Sequence, residues 1–312
     1  MLREDVTFDA WGSRCAAWLY RPDQAAAVAD PRGLPCVVLA HGFAGVREAR
    51  LDAFAARFAS AGFAALVFDY RGFGASEGQP RQLLSIPGQL ADWAAAISYA
   101  RSLDGVDPER IALWGTSFSG GHVVTTAARD HRIAAVIAQA PFVDGLRQAL
   151  SEPIPQALRL TAAALRDELG AVRGAPPRLI PAVGPPGSLA AMTQPGSEAG
   201  YHAIVPAGAP WSNAVAARVL LRLTAYRPLR HAAEIACPLL VAVCDEDEVT
   251  PPQPALTLAE RAPRGELVRY AGAGHFDIYA GETFERAVAD QIAFFTEQLR
   301  TTPAPLPEPA LV

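Results

Sequence analysis

Short runs of apolar and β-branched residues alternate along the chain with longer segments whose apolar residues recur at helical spacing. The runs that predict strands are residues 6–12, 15–20, 35–40, 64–70, 110–115, 133–140, 238–244 and 267–272. From residue 35 onward the runs are almost entirely apolar, which is typical of parallel strands buried on both faces. The first two runs predict an antiparallel lead-in. The pattern therefore predicts an α/β fold with a mostly parallel, eight-stranded sheet.

The segments between the strands predict helices that cover both faces of this sheet. Leu51, Phe54 and Phe58 recur at helical spacing, and residues 90–97 repeat the pattern with Leu90, Trp93 and Ile97. A final helix is predicted over residues 282–299, where apolar residues again form one stripe.

One long region breaks the alternation. Residues 141–230 contain no clear strand, and residues 175–188 are too rich in proline and glycine for regular structure. Because long irregular segments inside a domain are usually functional, we expect a cap inserted over the sheet. Residues 1–140 and 231–300 then form one discontinuous core domain, and the proline-rich residues 301–312 form a disordered tail. The alternative is a linker between two domains, but the strand pattern resumes after the region without starting a new fold.

Composition narrows the possible partners. The chain has 27 Lys and Arg against 32 Asp and Glu, and without a basic block it offers no surface for nucleic acid. No apolar stretch approaches the roughly 18 residues that cross a bilayer, and the chain begins with charged residues, so we expect a cytoplasmic protein without membrane contact. The four cysteines are scattered without a CxxC pair, which favours buried thiols. We expect no metal and no cofactor.

The clearest candidate chemistry lies at residues 110–129, which predict a strand, a sharp turn and a helix. The centre, Gly115 to Ser119, approximates the GxSxG nucleophile elbow, in which Ser117 would expose its hydroxyl at a strained turn. Ser119 stands where a glycine is usual, and serine is small enough for the turn. A rival register makes Ser119 the nucleophile. We favour Ser117 because the turn must follow the strand at once. The alternative for this motif alone is a Gly/Ser-rich loop without chemistry.

A serine hydroxyl becomes a nucleophile when a base takes its proton and an acid orients that base. His275 follows a predicted strand directly, where open parallel sheets place ligands, and we predict it as the base. The acidic run Asp245 to Glu248 follows the preceding strand. Asp247 is the predicted acid, because it stands three residues after the strand end and four before a proline. Asp245 remains the alternative.

Acyl transfer also needs donors for the oxygen that becomes negative. The elbow supplies the backbone N–H of Phe118. The loop His41 to Gly45, after the strand at 35–40, would supply the N–H of Phe43. His41 is expected to support this loop and not to act as a base. A plain turn is the alternative for the loop on its own.

In this order the motifs resemble the α/β-hydrolase superfamily from Val6 to Leu299, and residues 69–76 resemble its DxRGxGxS loop. Residues 42–76, 114–122, 226–241 and 272–282 are similar to a bacterial branch related to fungal polyketide-transferring thiohydrolases and, more distantly, to dienelactone-hydrolase and X-prolyl-peptidase-like enzymes. This resemblance implies the α/β-hydrolase fold and ester, thioester or related acyl substrates. Dehalogenation is disfavoured, because that branch has an aspartate where Ser117 stands.

The expected function is hydrolysis of a medium-sized hydrophobic ester or thioester through an acyl-enzyme at Ser117. Phe142, Met192 and Trp211 are candidates for an apolar acyl pocket. One alternative is an acyltransferase that uses the same acyl-enzyme, and another is a binding protein on an inactive hydrolase fold. The expected partner is a small-molecule acyl substrate. The oligomeric state stays open, with a homodimer as one option.

Overall fold

The computed structural model describes residues 1–23 and 31–300, so the tail predicted at 301–312 lies outside the described residues. The strands are β1 (Leu2–Ala10), β2 (Ser13–Arg21), β3 (Leu34–Ala40), β4 (Ala64–Phe68), β5 (Val106–Thr116), β6 (Ala135–Gln139), β7 (Leu179–Ile180), β8 (Val215–Ala216), β9 (Leu239–Cys244) and β10 (Gly265–Tyr270). The helices are α1 (Leu51–Ser60), α2 (Ile86–Arg101), α3 (Phe118–Ala127), α4 (Gly145–Ser151), α5 (Ile154–Val172), α6 (Ser197–Ile204), α7 (Leu220–Leu223), α8 (Pro252–Arg261) and α9 (Gly281–Arg300).

Eight strands form one sheet in the order β1-β2-β4-β3-β5-β6-β9-β10. β1 pairs with β2 and β2 with β4 in antiparallel fashion, whereas every other neighbouring pair is parallel. The prediction of a mostly parallel, eight-stranded sheet with an antiparallel lead-in is confirmed.

Both faces of the sheet are buried because each strand sends alternate apolar side chains to opposite sides. In β3, Cys36 and Val38 join the core layer that α2, α3 and α8 cover, while Val37 and Leu39 join the layer under α1 and α9. This explains why the central strands are apolar throughout and not alternating. Cys15, Cys36, Cys237 and Cys244 are all free and buried.

The region between β6 and β9, here called the inserted segment (residues 141–230), joins two strands that are neighbours in the sheet. It contains helices α4 to α7 and a short antiparallel pair, β7 and β8. The sequence pattern predicted no strand here. Two-residue strands are too short to show alternation, and β7 lies inside the Pro/Gly-rich stretch.

The carboxyl ends of β3, β5, β9 and β10 open at the same edge of the sheet, as parallel strands require. The loops that follow these four strands carry the predicted chemical residues. Within residues 1–23 and 31–300, no helix is both long enough and apolar enough to cross a membrane.

Candidate active site

Ser117 occupies a sharp turn between β5 and α3. Its backbone has φ 57° and ψ −119°, a strained conformation for a residue with a side chain. The turn is tight enough that a Cβ at Gly115 would collide with the carbonyl oxygen of Ser119, and one at Gly121 with that of Phe142. The glycines around Ser117 are therefore required by packing.

The hydroxyl of Ser117 begins a row of hydrogen-bonded side chains. Its Oγ lies 3.1 Å from Nε2 of His275, and Nδ1 of the same ring lies 2.6 Å from Oδ2 of Asp247. All three side chains are buried. In this arrangement the imidazole can take the serine proton while the carboxylate holds the ring in one tautomer.

The Asp247 carboxylate is fixed by the residues that follow it. Its Oδ1 accepts the backbone N–H groups of Val249 and Thr250 at 2.9 and 2.7 Å, and the Thr250 hydroxyl lies 2.8 Å from Oδ2. Asp245 instead forms an ion pair with Arg269 and does not contact the imidazole. Sequence reasoning missed Thr250. An aspartate that caps the amides two and three residues ahead is a recurring turn, and this spacing could have indicated it.

Ser119, the rival nucleophile, is fully buried and its hydroxyl is engaged elsewhere. Its Oγ lies 2.9 Å from the hydroxyl of Tyr70, which also accepts the indole N–H of Trp93 at 2.8 Å. The serine that replaces the usual glycine thus belongs to a buried polar network beneath the elbow.

The loop after β3 lies directly against the nucleophile. A Cβ at Gly42 would be 3.1 Å from the Cβ of Ser117, and the rings of Phe43 and Phe118 pack edge to face at 5.6 Å. The backbone of this loop is therefore close enough to the Ser117 hydroxyl to contact a group that is bound there.

Two side chains of the inserted segment hold this loop from the other side. The hydroxyl of Tyr201 donates to the Phe43 carbonyl at 2.8 Å, and the indole N–H of Trp211 donates to the Ala44 carbonyl at 3.0 Å. The two rings stack with their centroids 5.0 Å apart. No local pattern could have indicated these bonds, because they join residues more than 150 positions apart.

His41 is buried in the base of the loop. Its Nδ1 donates to the Gly42 carbonyl at 2.9 Å, and its Nε2 lies 3.8 Å from the Asp69 carboxylate. Burial lowers the pKa of His41 to about 4, so the ring is neutral at neutral pH. Burial also raises the pKa of Asp69 to about 6, and the backbone N–H groups of Arg47 and Ala75 bind its two oxygens. These contacts join the loop after β3, which contains His41 and Arg47, to the loop after β4, which contains Asp69 and Ala75.

A cavity of about 160 Å³ opens beside Ser117, between the core and the inserted segment. Of the three residues expected in an acyl pocket, Phe142 and Met192 line this cavity and Trp211 does not. Sequence reasoning missed its other lining residues in the inserted segment, which include Leu160, Leu220, Leu223, Glu152 and Gln194. Their apolar members lie on helices whose facing side was not assigned from the sequence.

A second cavity, of about 20 Å³, lies on the imidazole side of Ser117. His275, Phe276 and Tyr201 are among the residues that line it. Its volume is close to that of one water molecule.

No cluster of three or more His, Cys, Asp or Glu side chains that could hold a metal ion occurs in the described part of the chain.

Comparison with known proteins gives consistent results. The model of the Alpha/beta hydrolase family matches residues 37–291. The quorum-quenching protein AidA of Acinetobacter baumannii is 49% identical over 93% of this chain and 93% of its own length. Thiohydrolase aneE of Aspergillus aculeatus is 28% identical over 85% and 86%. The crystal structure of alpha/beta hydrolase GrgF from Penicillium sp. sh18 superposes with a TM-score of 0.82, at 26% identity, over 96% of this chain and all of that one.

Proposed function

Since this chain belongs to the alpha/beta hydrolase family, we propose that it is a cytoplasmic serine hydrolase that cleaves a medium-sized, hydrophobic ester or thioester through an acyl-enzyme at Ser117. The observation that carries the proposal is the unbroken row from the Ser117 hydroxyl through His275 to Asp247. A relative named as a thiohydrolase agrees with an acyl substrate.

Each member of the row has one role. His275 Nε2 accepts the proton as Ser117 Oγ attacks the acyl carbonyl, and it then protonates the leaving alcohol or thiol. Asp247 accepts the Nδ1–H of the ring, fixes its tautomer and stabilises the imidazolium that forms. In the second half of the reaction, the same ring takes a proton from water as the water oxygen attacks the acyl carbon. The tetrahedral intermediate then collapses to release the acid, and the ring returns the proton to Ser117 Oγ.

The backbone N–H groups of Phe43 and Phe118 form the oxyanion hole in this proposal. Phe118 begins α3 directly after the nucleophile, and the loop that carries Phe43 lies against the serine side chain. Fixed amide donors at this position stabilise the negative oxygen of both tetrahedral intermediates.

The acyl group occupies the cavity of about 160 Å³ beside Ser117. Most of its walls are apolar, with Phe142, Leu160, Met192 and Leu223 among them. Such a lining favours a hydrophobic acyl chain over a small polar one. The inserted segment supplies most of this lining and acts as a cap over the core.

Water is the acyl acceptor that the second cavity favours. Ser117 and His275 both line that cavity, and its volume of about 20 Å³ can hold a water molecule. An alcohol or amine acceptor would need this side of the site to open.

The test compares wild type with Ser117→Ala on p-nitrophenyl esters of graded chain length, acyl thioesters, amides and lactones. We expect burst kinetics and a preference for esters or thioesters in wild type, and no turnover above background in Ser117→Ala. Adding an alcohol or amine acceptor and measuring free acid against conjugate separates hydrolysis from transfer. Inactivity of wild type on every acyl compound, with the fold intact, would favour a binding protein and contradict the proposal.

A further inference from the structure

The cavity beside Ser117 extends along one face of α4. Gly145, Gln148, Ala149 and Glu152 line it, and this spacing of three and four residues marks one helical face. The chain just before α4 is joined to the nucleophile, because the Phe142 N–H donates to the Ser117 carbonyl at 2.8 Å. Glu152 follows the last residue of α4, about 10 Å along the helix axis from Gly145. Glu152 is therefore positioned to meet a part of the acyl group remote from the reacting carbonyl.

Glu152 forms a pair with Gln194 in the cavity wall. The side-chain amide of Gln194 donates from Nε2 to Oε1 of Glu152 at 2.9 Å. This bond dictates the orientation of the amide, because the opposite orientation would aim its carbonyl oxygen at a carboxylate. As a consequence, Oε1 of Gln194 is buried and has no hydrogen-bond partner among the described residues.

The pair offers Oε2 of Glu152 as an acceptor and the second N–H of Gln194 as a donor, and a hydroxyl can bind to both. None of the described residues that line the cavity is a lysine, arginine or histidine. Burial raises the pKa of Glu152, and the Gln194 bond opposes that rise. A carboxylate in a mostly apolar wall is costly to desolvate, and a donor on a bound molecule reduces that cost.

We propose that Glu152 and Gln194 form a subsite that binds a hydroxyl group on the acyl chain, remote from the carbonyl that Ser117 attacks. This inference rests on the proposed function and names the substrate class within it: hydroxylated acyl chains, not purely aliphatic ones. A neutral hydroxyl suits the site better than an ammonium group, because the cavity is mostly apolar and desolvation of a second charge is costly.

The test uses matched thioester pairs of graded chain length, one with a terminal hydroxyl and one with a terminal methyl group. In wild type, at the chain length that reaches the pair, we expect kcat/KM to favour the hydroxylated member by roughly ten- to a hundredfold. Glu152→Leu and Gln194→Leu should bring this ratio close to one. Glu152→Gln retains a side chain of the same shape and should keep part of the preference.

Ser151→Ala is the matched control. Gln148 would not serve, because it lines the cavity itself and its variant reports only on the general polarity of the wall. The exposed Ser151 hydroxyl bonds to the Arg147 carbonyl on α4 outside this cavity, so its loss should leave the ratio near the wild-type value. Melting temperatures show whether each variant folds. If a variant does not fold, the ratio of kcat/KM values measured in wild type still tests the subsite.

Equal rates on both members of every pair in wild type would overturn the subsite while leaving the hydrolase intact. So would variants that lose activity on both members by the same factor, because a purely structural bond between Glu152 and Gln194 predicts that result. Failure of wild type to cleave any thioester or ester would overturn the proposed function, and the subsite with it.

Discussion

Replacing Tyr201 by phenylalanine tests whether the inserted segment positions the catalytic loop. The Tyr201 hydroxyl is buried and donates to the Phe43 carbonyl at 2.8 Å, next to the N–H proposed to bind the oxyanion. Tyr201→Phe removes this donor and leaves the ring in place against Trp211. The Phe43 carbonyl then loses its side-chain partner.

The size of the effect follows from the bond that is lost. A buried acceptor left without its donor costs about 1–3 kcal/mol. Complete loss of one oxyanion donor lowers the rate about 10²- to 10³-fold, which sets an upper limit. A loop that is loosened but not removed should lose about 1–2 kcal/mol of transition-state stabilisation, a factor of roughly 5 to 30 in kcat. KM should change little, because Tyr201 does not line the larger cavity.

The assay measures kcat, KM and melting temperature on one soluble ester. Tyr99→Phe is the matched control, because the Tyr99 ring stacks on Phe8 in the edge strand β1. This variant should retain full activity. Trp211→Phe removes the companion bond to the Ala44 carbonyl and should also lower kcat. An unchanged kcat in Tyr201→Phe together with a lower melting temperature would contradict this prediction. It would show that the bond between Tyr201 and the Phe43 carbonyl contributes to stability and not to catalysis.

Three further predictions concern single side chains. Asp247→Asn should lower kcat about 10³- to 10⁴-fold by favouring the wrong imidazole tautomer, whereas Asp245→Asn should change it little, as steady-state kinetics would show. Ser119→Ala removes a partner of the Tyr70 hydroxyl, so the melting temperature should fall by a few degrees while esterase activity remains. Burial lowers the pKa of His122 from 6.5 to about 3, so between these values the unfolded chain binds a proton that the folded chain does not. The contribution of neutral His122 to stability is fully present above pH 6.5 and is lost as the pH falls, by about 1.4 kcal/mol per pH unit. Denaturant unfolding at several acidic pH values should therefore show that the free energy of unfolding falls less steeply with decreasing pH in His122→Gln than in wild type.

Each of these predictions has an outcome that contradicts it. Equal losses in Asp247→Asn and Asp245→Asn would mean that the acidic loop acts through its overall charge. Loss of all activity in a folded Ser119→Ala protein would revive the rival register of the elbow. Identical acid slopes with and without His122 would mean that its ring gains a proton at the same pH in the folded and unfolded chains.

The sheet could be predicted because burial on both faces leaves a strong local signal. The strands β3 and β9 and residues 111–114 of β5 are apolar at every position, so these strands and their carboxyl ends could be located from sequence. Ser117 directly follows β5 and His275 lies in the loop after β10, so both were candidates, and the structure brings these two side chains together.

The inserted segment could not be predicted in the same way, because its role depends on contacts between distant residues. Trp211 was expected in the acyl pocket, and it bonds to the loop after β3 instead. Tyr201 and Glu152 carry no local mark that distinguishes them from other polar or aromatic residues on surface helices. Their partners are set by how the segment packs on the core, and one strand pair of two residues each leaves no periodic pattern.

The most direct test of the central claim is the site at which a fluorophosphonate probe binds covalently, mapped by peptide mass spectrometry. We expect a single adduct on the Ser117 oxygen, absent from Ser117→Ala and still present in Ser119→Ala. An adduct on Ser119, or a folded and soluble wild-type protein that stays unlabelled, would contradict it.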